Sequence, residues 1–153
     1  MPRRRIRRPK DQEYIYVKLT DTEEFGIFSS YKDVFMVAGL IGFIEKKKKK
    51  FEGSLEGISW NVFNLETDEA IINAVALADS GDLSIINTDD ESYEKKIKIF
   101  EEYAAGGAEI LYKKLMEEPK NILYQYFEYI MSTENEVSEK ERSLKDIADL
   151  LTF

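Results

Sequence analysis

The 153-residue chain contains no cysteine and no histidine. Lacking cysteine, it has no disulfide framework, thiolate nucleophile or iron–sulfur ligation. Lacking histidine, it has neither a Ser-His-Asp arrangement nor a histidine-ligated zinc. Serine and tyrosine remain as hydroxyl nucleophiles, but the chain carries no GxSxG motif around them and no GxxxxGK[ST] phosphate loop. Long apolar runs are missing as well. Val34–Ile44 (VFMVAGLIGFI) spans 11 residues, against the ~20 that a membrane span needs, and reads as a core helix. No apolar run follows the charges of Met1-Pro-Arg-Arg-Arg-Ile-Arg-Arg-Pro-Lys, so no signal peptide is expected and the protein reads as cytoplasmic, away from the membrane.

What is present suits a folded domain. Hydrophobic residues make up 43% of the chain, with nine Phe, nine Tyr and one Trp, enough to fill the core of one domain. The 22 basic and 30 acidic residues give a net charge of −8, and the charge lies in blocks. Residues 1–10 hold Arg3, Arg4, Arg5, Arg7, Arg8 and Lys10 with no acid, and Lys46, Lys47, Lys48, Lys49 and Lys50 follow in a single run. Elsewhere the chain is strongly acidic. Residues 1–10 read as a flexible, solvated basic arm, and 11–153 as a single helical domain. Five adjacent cations repel one another at every helical spacing, which predicts an exposed loop at 46–50.

The apolar spacing predicts a mainly α fold of about six or seven helices, with a short β or extended segment near 58–63. A short helix is expected over Asp11–Leu19, followed by a turn at DTEEFG. A central helix should run from a Ser29 or Ser30 cap to about Glu45, with Gly39 and Gly42 forming a smooth patch for close approach. Thr67 is expected to cap a helix over Asp68–Asp79 that ends at Ser80-Gly81. Tyr93, Ile97, Phe100, Tyr103 and Ala104 share one face of Glu91–Ala105, and Gly106-Gly107 should break or kink that helix before Ala108–Met116. Asn121–Met131 is helical by spacing. Ser138 and Glu141 form a capping-box pattern for a last helix. The central helix should be packed by Ile71, Val75, Phe100, Leu111 and Phe127.

The arm and the lysine run together are the candidate DNA-binding residues. Their side chains suit phosphate contact as sequence-independent charge, and the alternatives are a solubilising tail, docking on the chain's own acidic surface, or an ordinary solvated loop. The acidic body stands against DNA binding, because it repels the polyanion wherever basic groups are not concentrated. Asp79, Asp82, Asp89, Asp90 and Glu91, with Glu101 and Glu102, are the carboxylates that a magnesium site would draw on. Their places at loop and helix ends fit capping better, so no metal and no cofactor are expected. Trp60, Tyr124, Tyr126 and Tyr129 suit base stacking or a partner contact, with packing as the favoured reading.

Four segments, YKDVFMVAGLIGF (31–43), ISWNVF (58–63), INAVALADSGDLSII (72–86) and KIFEEYAAGGAEIL (98–111), together resemble Dnd system-associated protein 4, also called DNA phosphorothioation-associated protein 4. The resemblance covers about residues 10–130. It implies an accessory role beside a bacterial system that replaces a phosphate oxygen of DNA with sulfur and uses the mark in defence against foreign DNA. It brings no catalytic residues. The expected function is that of a non-enzymatic accessory protein contacting the DNA backbone or another protein of the phosphorothioation modification and restriction system. The alternative is an acidic interaction adaptor or regulator with no direct DNA contact. A carboxylate-dependent nuclease ranks last.

Overall fold

In the computed structural model, which describes residues 4–24, 26–55 and 57–134, the protein is mainly α-helical. Ser30, in extended conformation, accepts a hydrogen bond from the Asp33 backbone N–H at 3.3 Å and starts helix α2, Tyr31–Ile44. Asp33 lies in the first turn, where a carboxylate complements the helix dipole. Before it, a single 3-10 turn at Lys10–Gln12 leads into α1, Glu13–Thr20, which buries Ile15, Tyr16 and Leu19.

Helix α3, Asp68–Ser80, starts where expected, although the Thr67 side chain makes no capping bond. The Asn64 backbone carbonyl oxygen takes over that role, accepting from Asp68 N and Glu69 N, and side chains brace the turn before the helix. Asp68 accepts the Asn64 N–H at 2.7 Å, while Asn64 Oδ1 accepts from Glu66 N and Thr67 N. Lys32 of α2 donates to the same Asp68 carboxylate at 2.9 Å, joining the beginnings of the two helices. Gly81, at φ +68°, closes α3 in the left-handed conformation that a side chain disfavours. A 3-10 turn at Leu83–Ile86 follows.

Helix α4 runs without a break from Asp90 to Leu115. The expected break at Gly106-Gly107 does not occur, because these glycines are a notch in a continuous helix. A Cβ on Gly107 would lie 1.8 Å from the Ala38 carbonyl oxygen of α2, and one on Gly42 would lie 2.0 Å from the Tyr103 carbonyl oxygen. Gly39 meets the Phe100 ring in the same way. The small residues let α2 and α4 cross with their backbones nearly touching, and the large side chains beside them fill the core. Phe35 and Phe100 are fully buried with ring centroids 5.2 Å apart, and Phe63 closes on Phe35 at 6.0 Å. Val75 and Leu111 are buried as expected, whereas Ile71 is only half-buried.

The 58–63 segment forms no strand. Ile58 and Ile6 exchange both backbone hydrogen bonds as an isolated antiparallel bridge, and Trp60–Val62 is one 3-10 turn.

The contacts group the chain into two units, Met1–Lys113 and Lys114–Phe153. In the second, a turn at Pro119–Asn121 enters helix α5, residues 122–134. Phe127, expected in the core, is 59% exposed, as are Leu123, Tyr124, Ile130 and Met131 to a similar or lesser degree. The spacing 122, 126, 130 suggests one apolar face. The helix instead has apolar residues around most of its circumference and leaves many of them uncovered. The helix expected from Ser138 lies outside the described residues. Among the described residues no helix is long and apolar enough to cross a membrane.

Candidate interface of the basic segments

Residues 4–10 are packed, contrary to the expectation of a solvated arm. Ile6 is fully buried and Pro9 is buried beside it. The backbone runs antiparallel to residues 53–58 through Ile6–Ile58, Leu55 N–H to Arg8 O, and Lys10 N–H to Gly53 O. Gly57 allows this approach, because a Cβ there would lie 2.6 Å from that of Arg5. One apolar side chain therefore docks the arm, and charge completes the attachment. Arg4 grips Glu101 of α4 through two nitrogens at 2.9 and 3.0 Å and reaches Glu94 at 2.7 Å. The Arg7 backbone N–H also donates to Glu101, a carboxylate only 3% exposed. Arg5 donates to the Gly57 carbonyl oxygen at 2.7 Å. Arg8, itself buried, pairs with Glu13 and lies 4.9 and 4.6 Å from the ring centres of Tyr16 and Tyr31.

The lysine run is a loop, as expected, but it is tied down. Lys46 takes a positive φ of 56°, Lys47 N–H bonds back to Gly42, and Lys49 N–H bonds to the Glu102 carbonyl oxygen. Lys48 pairs with Asp79 at the end of α3 and lies over the Tyr103 ring. Lys49 pairs with Glu109 of α4 and with Asp11, and Lys47 reaches Glu109 at 3.8 Å. Arm and loop thus lie against the same helix, the arm held by Glu94 and Glu101 and the loop by Glu109 further along it. Arg7, Lys10, Lys46 and Lys50 make no ion pair among the described residues and keep their charge for solvent. Arg3 lies outside the described residues.

These pairings shift the titration of the groups involved. Partial burial opposes the Arg4 charge, yet its hydrogen bonds to Glu101 and Glu94 outweigh it and raise its pKa. The Glu109 hydrogen bond raises Lys49 above the usual lysine range. Burial works to raise Asp79, and hydrogen bonds from Lys48 and Tyr103 overcome it, leaving the carboxyl below its ordinary value. Burial, reinforced by the hydrogen bond to Asp79, pushes Tyr103 up to about 12.

An open cleft of about 300 Å³ lies where arm, loop and α4 meet, lined by Arg7, Phe51, Glu52, Lys98, Glu101 and Glu102. Two of the other carboxylates considered as metal ligands have local tasks. Asp82 accepts the Ser84 N–H and Asp89 the Ser92 N–H. No group of three or more possible metal ligands converges among the described residues. Trp60 stacks on Phe63 at 5.1 Å and meets Tyr93 edge-on, a packing role, while Tyr124 is exposed and donates to Glu128.

The residues that composition alone passed over are the acidic partners. Glu94, Glu101 and Glu109 recur at intervals of seven and eight along α4, which places them on one face. That stripe was visible in the sequence, but its match to two remote basic segments was not.

A sequence profile described as DNA sulphur modification system-associated protein 4 matches residues 5–150. The chain belongs to this family. The match takes in both basic segments, apart from the first residues of the arm, and helices α1 to α5. No curated protein and no solved structure matches the chain. Membership in the family assigns an accessory role in DNA sulphur modification.

Proposed function

We propose that the protein serves a DNA sulphur modification system as a non-catalytic binding subunit that engages another protein of the system, acting in the cytoplasm as part of defence against foreign DNA. The observation that carries this reading is the internal use of its basic groups. Arg4, Arg8, Lys47, Lys48 and Lys49 face their own carboxylates, so a DNA phosphate competes with a partner already in place. The surplus charge of −8 then repels duplex DNA beyond the immediate contact.

A second reading keeps direct backbone contact through the arm and loop. It is favoured by their shared position along α4 and by Arg7, Lys10, Lys46 and Lys50, which make no ion pair among the described residues. Titration of the protein against duplexes with and without a phosphorothioate linkage, at rising salt, separates the two. The adaptor reading expects no saturable binding to either duplex at low salt, together with complex formation with a purified protein of the system. Binding whose log K falls with log[salt] by about 0.9 per phosphate contact, and which weakens when Arg7, Lys10, Lys46 and Lys50 become Ser, would establish the second reading instead. Plasmid incubated with Mg²⁺ or Mn²⁺ should remain intact; cleavage would overturn the non-catalytic role.

A further inference from the structure

Helix α5 carries an exposed apolar stripe. Leu123, Phe127 and Ile130 follow one another at i, i+4 and i+7, with 66%, 59% and 43% of their surfaces exposed. Residues at this spacing line one side of a helix, and Tyr124 and Met131 widen the stripe to about a third of the circumference. Contiguous exposed apolar surface is uncommon on a soluble protein without a partner for it. The rim is acidic. Glu128 flanks the stripe, held by the Tyr124 hydroxyl at 2.9 Å, and Glu134 lies at its far end.

We propose that this stripe is the docking surface for an amphipathic helix of a partner protein, with basic residues flanking that helix's apolar face. The proposal rests on the binding-subunit reading and names its surface. Apolar side chains across the stripe supply the contact, and the Glu128 rim selects the sign of the flanking charge. A second copy of the chain fits less well, because an antiparallel two-fold pairing of α5 sets each Glu128 edge against the same acidic edge of its copy.

The test uses the full chain and two synthetic helical peptides that share a Leu stripe at i, i+3, i+4 and i+7, one flanked by Lys and one by Glu. Fluorescence anisotropy should show binding of the Lys-flanked peptide and none of the Glu-flanked peptide over the same range. Phe127→Asp should weaken binding by about tenfold or more, with an unchanged melting temperature because Phe127 is exposed. This variant adds a negative charge, so attraction by net charge alone predicts the opposite direction. Glu128→Lys should erode the preference for the Lys-flanked peptide. Equal or tighter binding by Phe127→Asp, or equal binding of the two peptides, would overturn the proposal. So would a dimer in sedimentation that Phe127→Asp dissolves, or a gain in peptide affinity on Ile147→Asp and Leu151→Asp, which would assign the stripe to a second copy or to the chain's own end. Failure here leaves the binding-subunit reading standing, since the duplex titration decides that separately.

Discussion

Helix α4 is held from two sides by different forces. Against α2 it makes a dry crossing, where glycines remove every side chain that would keep the backbones apart and Phe35 and Phe100 fill the space beside them. Against the arm and the lysine loop it makes a polar clasp of Glu94, Glu101 and Glu109 with Arg4, Lys47 and Lys49. The first depends on shape and is indifferent to salt. The second depends on charge, is partly open to solvent, and weakens as ions screen it.

The crossing should be the costlier to disturb. Phe35→Ala removes a fully buried ring and should cost about 3–5 kcal/mol in denaturant unfolding; a loss below ~1 kcal/mol would show that α2 is peripheral. Gly107→Ala tests the notch itself. Alanine favours a helix by about 1 kcal/mol over glycine, but here its Cβ meets the Ala38 carbonyl oxygen, a backbone atom that cannot swing aside. A net loss of about 3 kcal/mol, at the upper end of overpacking costs, is expected. Any stabilisation by this substitution would mean that the helices do not cross so closely.

The clasp should yield smaller and salt-dependent changes. Glu101→Gln keeps the shape but removes the charge that Arg4 grips through two nitrogens, and should cost about 2 kcal/mol. Arg4 retains Glu94 and some solvent access, which holds the loss below that of a fully buried pair. Lys48→Ser together with Lys49→Ser should cost about 1 kcal/mol, since these pairs are roughly one-third exposed. Melting temperatures at low and high salt check both. A cost for the lysine pair that persists in high salt would place the loop in the shape-dependent class with the crossing.

The two sides also differed in how far the sequence disclosed them. The crossing was largely legible, because Ser30 at a cap, a run of apolar residues and Gly39 with Gly42 at close spacing are local signals. Gly106-Gly107 misled, since a glycine pair reads as a break when the neighbouring helix that needs the notch is unknown. The clasp was hardly legible. Residues 4–10 have the composition of a free arm, and only the remote Ile58, Gly57 and Glu101 make them part of the fold. Long-range charge pairing leaves no periodic trace within either segment. The α5 stripe was misread for a related reason: helical spacing reports an apolar face but not whether anything within the chain covers it.

The smallest expected effect concerns the corner where both forces meet, at Tyr103. Its ring packs edge-on against Phe43 of α2, while its hydroxyl donates to Asp79, which Lys48 also holds. Burial and that hydrogen bond raise the phenol from 10.0 to about 12 in the folded chain. The folded state therefore holds this proton more tightly than the unfolded state. Its contribution to stability is complete below pH ~10 and is lost as the pH rises toward ~12. Lys49, also raised, acts in the same direction above the ordinary lysine range. Asp79 acts at the other end: its lowered pKa gives a contribution present above pH ~4 and lost as the pH falls through the folded value. Tyr103→Phe keeps the ring and removes the titrating hydroxyl, so melting temperature should decline less steeply between pH 10 and 12 than in the parent. Some decline should remain, because the buried Tyr16 phenol is also raised and titrates in the same direction. An alkaline limb identical in parent and variant would mean that the Tyr103 hydroxyl does not couple the clasp to the crossing.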